Sequence, residues 1–188
     1  MSLWRTMRHM RGASRRLCAE HDLEEFATMR SLPYREGSWF AVPLPGGGYA
    51  AGVVARRAPA GRIMLAYMFG PKRDRLPVLE ELEDLRPEHA VRRLRTGDMA
   101  ILNARWPLLG DSRHWEREAW PMPAFIRRNA SLQRAWRASY ADADPAKLDR
   151  EESIPFDTPG MESDSLYGYG ATELLMNKVL VQEAASAA

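Results

Sequence analysis

Ser112 and His114, with one residue between them, come closest in type to a nucleophile beside a base. A serine hydroxyl attacks only when an imidazole takes its proton, so the pair needs a folded geometry that spacing alone does not supply. No nucleophile-elbow pattern accompanies them. Asp142 with Asp144, and Glu151 with Glu152, are carboxylate pairs of the kind that do acid–base work, but they lie in a polar stretch that water solvates. His9, His21, His89 and His114 are scattered and lack HExxH spacing. The lone Cys18 rules out an intramolecular disulfide and a cysteine-built zinc site. Gly46-Gly47-Gly48 has no following Lys-Ser/Thr and opens no helix, so it is neither a phosphate loop nor a dinucleotide fingerprint. These residues name no catalytic centre, cofactor or metal.

The elements that would position side chains are clearer. Residues 37–56, GSWFAVPLPGGGYAAGVVAR, read as two short strands around a glycine turn, and both arms are apolar on both faces. Such a hairpin is covered on both sides or lies in a small curved sheet. Residues 62–69 give a third strand, ended by Gly70-Pro71, and short links make an antiparallel meander the economical arrangement. Residues 72–75 read as an exposed loop, residues 78–85 as one or two helical turns, and residues 90–95 as an extended or irregular return. Residues 99–105 are expected as a fourth strand and residues 131–140 as a short helix carrying Trp136 and Tyr140 at i, i+4. A last helix is expected over residues 171–182, with Ala171, Leu174, Leu175 and Val179 facing the core.

The expected fold is α+β: a twisted antiparallel sheet, partly barrel-like, with an N-terminal hairpin. A C-terminal helix and irregular Trp/Pro-rich segments cover it. Residues 1–31 form a flexible or helical arm, 32–182 a single domain and 183–188 a frayed tail. In the arm, Leu3, Met7, Met10 and Leu17 fall on one helical face among arginines, and a second helical turn is expected over residues 20–29. Formal net charge of +2 makes no global case for nucleic acid. The chain has no apolar run of the roughly 18–20 residues that cross a bilayer and no secretory leader, which makes a cytoplasmic protein the default.

Two stretches have the composition of binding surfaces. Trp106, Trp115 and Trp120, punctuated by Pro107, Pro121 and Pro123, resist regular helix. Trp106 and Phe125 read as core, whereas Trp115 and Trp120 divide evenly between core and interface anchors. The stretch from residue 140 to 165 reads as an acidic, turn-rich loop, and its Asp142, Asp144, Asp149, Glu151, Glu152 and Asp157 would suit a basic partner. A different class is a small barrel-like nucleic-acid module. It would use Arg56, Arg57, Arg62, Lys72, Arg73 and Arg75 with Tyr49, Tyr67 and Phe69 as stacking groups. A hydrolase built on Ser112 and His114 would require a cleft that brings distant carboxylates to His114.

Residues 35–56, REGSWFAVPLPGGGYAAGVVAR, resemble the N-terminal signature of the immunity protein 26 family. There an acidic or polar residue and a glycine precede an apolar strand ending in proline, then a turn, a Tyr or Phe, and a glycine-containing strand. Gly37, Phe40, Pro43, Gly48, Tyr49 and Gly52 occupy those positions. WPLLG at residues 106–110, with Pro123-Ala124-Phe125 downstream, is similar to the family's Trp-based segment after the sheet. The Arg-rich beginning and the extra residues between Gly110 and Pro123 depart from the pattern. The resemblance implies a bacterial immunity protein of a polymorphic-toxin or contact-dependent system, which binds a cognate toxin domain and blocks it. It supplies no catalytic residues and no cofactor. Were the toxin a basic nuclease, the acidic stretch would be the natural docking surface, with Trp115 and Trp120 as anchors.

Overall fold

A computed structural model of the protein describes residues 32–187; the two helical segments expected in the N-terminal arm lie outside them. The three-strand meander forms as expected, and residues 92–97, which overlap the expected extended or irregular return, add a fourth strand to it. Strands β1 (Ser38–Pro43), β2 (Tyr49–Arg57), β3 (Ile63–Arg73) and β4 (Arg92–Gly97) pair antiparallel in chain order. Between β1 and β2 the chain reverses through Gly47 and Gly48 at φ 79° and 74°. A Cβ on Gly48 would stand 2.5 Å from the Arg73 carbonyl oxygen, so glycine is required there for space as well as for its backbone. A short strand β5 (Leu108–Asp111) joins the outer edge of β1, and β10 (Leu166–Tyr167) runs parallel to β4, giving the order β10-β4-β3-β2-β1-β5.

Both faces of this sheet are covered, as the two-sided apolar pattern requires. One face sends Trp39, Val53, Leu65, Tyr67 and Phe69 against Trp120 and Phe125. The other carries Phe40, which lies flat on Trp106 with ring centroids 5.5 Å apart and 3° between planes. Gly52 faces Phe40 across the strand pair; a Cβ there would come within 2.5 Å of the Phe40 ring and 3.0 Å of Met68 Sδ. Full burial of large side chains such as Trp39 and Phe40 contributes about 2–3 kcal/mol each. A short helix α1 (Met99–Leu102) precedes Trp106, and the C-terminal helix α2 (Tyr169–Ala187) packs on β3 and β4 through Thr172, Met176, Val179 and Leu180.

A second sheet of four strands stands beside the first. β6 (Phe125–Asn129), β7 (Arg134–Ala141) and β8 (Asp144–Ile154) are antiparallel, and β9 (Glu162–Ser163) runs parallel to β6. The α+β class therefore holds, but with two mixed sheets in place of one, neither closed into a barrel.

Several local expectations are overturned. Residues 99–105 form α1 and a turn: β4 and β10 already fill that edge, and an apolar run this short does not distinguish helix from strand. Residues 131–140 contain β7, because positions four apart share a side of a strand as well as of a helix, and Trp136 and Tyr140 satisfy both periods. Within the acidic stretch, Asp144–Ile154 form strand β8, whose residues 146–151 are all exposed, so no apolar alternation marks it. β3 continues through Gly70-Pro71 to Arg73. On α2 the buried face is rotated from the expected one: Leu174 is 64% exposed while the polar Thr172 and Glu173 are buried.

Candidate partner-binding surface

Several polar side chains that are buried or pinned against this fold come in matched sets, and those sets decide which charges remain for a partner. Arg56, the penultimate residue of β2, with a side chain 3% exposed, donates from Nε to Asp142 Oδ1 at 2.8 Å. Arg117 donates to the other carboxylate oxygen of Asp142 and, at 2.8 Å, to Glu36 Oε2. Burial pushes the Asp142 carboxyl up, but the guanidinium donors of Arg117 and Arg56 outweigh it and hold it below its ordinary value. Arg95 of β4 meets Asp164 at 3.0 Å, and Asp164 also accepts from Arg127 at 2.8 Å and from the Tyr140 hydroxyl at 2.7 Å. The Arg95 guanidinium lies over the Tyr140 ring, 3.4 Å from its centroid. This arrangement ties β4, β6 and β7 together around a carboxylate whose side chain is 3% exposed. On the opposite face, Glu173 of α2 takes both arms of the Arg105 fork at 2.7 Å and the Trp106 indole N–H at 3.0 Å. The Arg105 donors, more than the indole, set the Glu173 carboxyl below the usual glutamate range. Tyr34 donates a hydrogen bond to Asp98 at 2.7 Å, and burial, then that bond, raises the phenol well above its ordinary value.

Against this background the residues singled out in the sequence separate. Trp120 is 6% exposed and meets Trp39, Tyr67 and Phe69 edge-on. Trp115 is half-buried and stacks on Trp120 at 5.2 Å. Its ring lies so close to Gly37 that a Cβ there would be 2.8 Å away. Asp142 is bound to two arginines, as described. Asp144 accepts from the Ala146 amide at 2.9 Å within its own turn. Glu151 pairs with Arg127 at 2.9 Å, and Glu152 lies between Arg137 and Arg150. Asp149 and Asp157 are exposed and make no ion pair among the described residues. β8, which carries Asp144, Asp149, Glu151 and Glu152, is the outer strand of the second sheet. An edge strand with charged side chains keeps its unpaired backbone groups from indiscriminate pairing.

The structural roles of Asp142, Asp164 and Glu173 went unread in the sequence. The available signal was an arginine at the end of an apolar strand, Arg56 in GVVARR, since a buried guanidinium requires an acid from elsewhere; Arg95, one of three arginines in RRLRTG, carried no such mark. That same burial removes Arg56 from any nucleic-acid face. Tyr67 and Phe69, at most 1% exposed, are likewise unavailable to stack on bases.

A cleft of about 340 Å³ opens between residues 83–87 and 112–120. It places Ser112 and His114 near Glu83, Asp84 and Glu116. Ser112 Oγ accepts the Trp39 indole N–H at 3.2 Å, and among the described residues no hydrogen bond joins it to His114. No group of three His, Cys, Asp or Glu among the described residues is arranged to hold a metal ion. Among those residues no helix is long and apolar enough to cross a membrane.

No curated protein and no solved structure shows a significant match to this chain. The sequence profile of a family described as immunity protein 26 does match, over residues 35–136. That span begins before the glycine-turn hairpin, includes Trp106, Trp115 and Trp120, and ends within β7. It covers more than half of the 188 residues, and the chain belongs to the immunity protein 26 family.

Proposed function

We propose that this protein neutralises a cognate bacterial toxin by forming a stoichiometric complex with it, in the cytoplasm and without catalysis. Membership of the immunity protein 26 family carries the reading. Two features of the surface support it. Trp115 presents part of a large ring held rigidly between Trp120 and Gly37, and a preordered aromatic loses little entropy on docking. The β8 edge and the turn after it carry Asp149 and Asp157, which have no ion partner among the described residues, beside Asp144, Glu151 and Glu152. That surface suits a basic partner such as a nuclease domain, whose approach unpaired surface carboxylates would steer. Trp120 supports Trp115 from below, while Asp142 has its charge spent on Arg56 and Arg117.

Co-expression with the toxin it neutralises should restore growth, and the two proteins should co-purify in equimolar ratio. If neither occurs with a toxin confirmed active, the reading is wrong. Charge reversal at Asp149 and Asp157 together should slow association by about 10-fold at low salt while leaving thermal stability unchanged, as surface plasmon resonance and a melting curve would register.

A further inference from the structure

We infer that the cleft between residues 83–87 and 112–120 is a receptor for one cationic side chain, arginine or lysine, presented by the partner protein. That the partner is a toxin rests on the proposal above; the chemistry of the cleft does not. Leu85, Pro87 and Ala119 give it apolar lining against which a long aliphatic stem packs, while the charged head stays among polar groups. Among those polar groups, three carboxylates stand against two arginines, Arg86 and Arg113. Asp84 and Glu116 are exposed and enter no ion pair or side-chain hydrogen bond among the described residues. Glu83 Oε1 is buried without a hydrogen-bond donor. The Glu83 side chain as a whole is 28% exposed and keeps an ion pair with Arg113 Nε at 3.3 Å, outside hydrogen-bond geometry.

The two lining arginines do not balance this charge. Arg113 is 65% exposed and divides itself between Glu83 and Glu80, the latter at 3.8 Å. Arg86 spends its Nη1 on the main-chain carbonyls of Glu83 and Leu85, at 3.0 and 3.4 Å. Three carboxylates against two arginines, with Asp84 and Glu116 unpaired among the described residues, favour an incoming guanidinium or ammonium over an anion. A compact metal ion fits poorly, since no three ligating side chains converge among the described residues. The walls are also preordered. The Arg86 amide donates to His89 Nδ1 at 3.0 Å, which fixes the turn on one side, and the Trp115–Trp120 stack fixes the other.

The test uses N-acetyl-arginine amide against its neutral isostere N-acetyl-citrulline amide, each titrated into isotope-labelled full-length protein at millimolar concentrations. NMR follows the indole N–H signals of Trp115 and Trp120 and the Ala119 amide. The arginine derivative should shift these signals saturably and bind at least ~3-fold more tightly than citrulline. The double variant Asp84→Asn/Glu116→Gln, changed only at exposed positions, should lose that preference while keeping the parent's melting temperature. No saturable shift, equal response to citrulline, or an unaltered preference in the double variant would overturn the inference. Complex formation with the toxin separates the two ideas. A parent protein that binds toxin as tightly as the double variant does removes the cleft from recognition and leaves neutralisation standing. Selective arginine binding by a protein that forms no toxin complex does the reverse.

Discussion

Asp164 accepts hydrogen bonds from two arginines and a tyrosine while almost wholly shielded from water. Removing it strands the Arg95 guanidinium, itself 8% exposed, without a counter-charge. Asp164→Ala should therefore lower unfolding free energy by about 3–5 kcal/mol in urea titrations, whereas Tyr140→Phe, which deletes one donor to the same carboxylate, should cost only about 1–2 kcal/mol. Glu173 gives a pH signature. Its folded-state pKa lies below the unfolded value, because Arg105, then Trp106, favour the ionised form. The contribution is thus fully present above the ordinary glutamate range and is lost as pH falls through the folded value. The stability gap between the parent and Glu173→Gln should be wide at about pH 7 and should narrow by about pH 3.5, as denaturation at the two pH values would measure.

Among the elements, the central strands depend on one missing side chain. Gly52 leaves room for the Phe40 ring and Met68, and that ring in turn lies on Trp106. Gly52→Ala should destabilise by about 1–3 kcal/mol through overpacking and should perturb the near-ultraviolet circular dichroism of the Phe40–Trp106 stack. The hairpin and the meander were legible because their residues are apolar on both faces and a glycine triplet punctuates them. β7 and β8 were not legible, for two different reasons. The Trp136/Tyr140 spacing fits either period, and β8 exposes its middle residues, so it leaves no alternation to read. On α2 the hydrophobic count pointed to Leu174. Burial went instead to Glu173, because Arg105 and Trp106 satisfy it, and no local pattern encodes partners 68 and 67 residues away. Of the candidate surface, the aromatic and acidic composition was visible in the sequence. The division between charges spent inside the fold and charges left outside was not.

At the scale of the molecule, α2 closes the Phe40 face of the first sheet, and the second sheet with the Trp120 segment closes the Trp39 face. Neither cover is local in sequence. Arg56, Arg95 and Arg105 find their acids at Asp142, Asp164 and Glu173, separated by 86, 69 and 68 residues. Specificity for one arrangement of the two sheets follows from this, since a slipped register leaves a guanidinium buried alone.

Those long-range pairs also give the chain a polarity in time. Residues 33–136 hold 17 Lys and Arg against 11 Asp and Glu, while residues 137–188 hold 4 against 10. During synthesis the arginine-rich portion leaves the ribosome first, and its neutralising carboxylates arrive last. A polypeptide ended at residue 136 should remain an unfolded polycation that heparin–agarose retains at salt concentrations at which the full chain flows through. The acidic end of this protein is thus first a counter-ion for its own beginning.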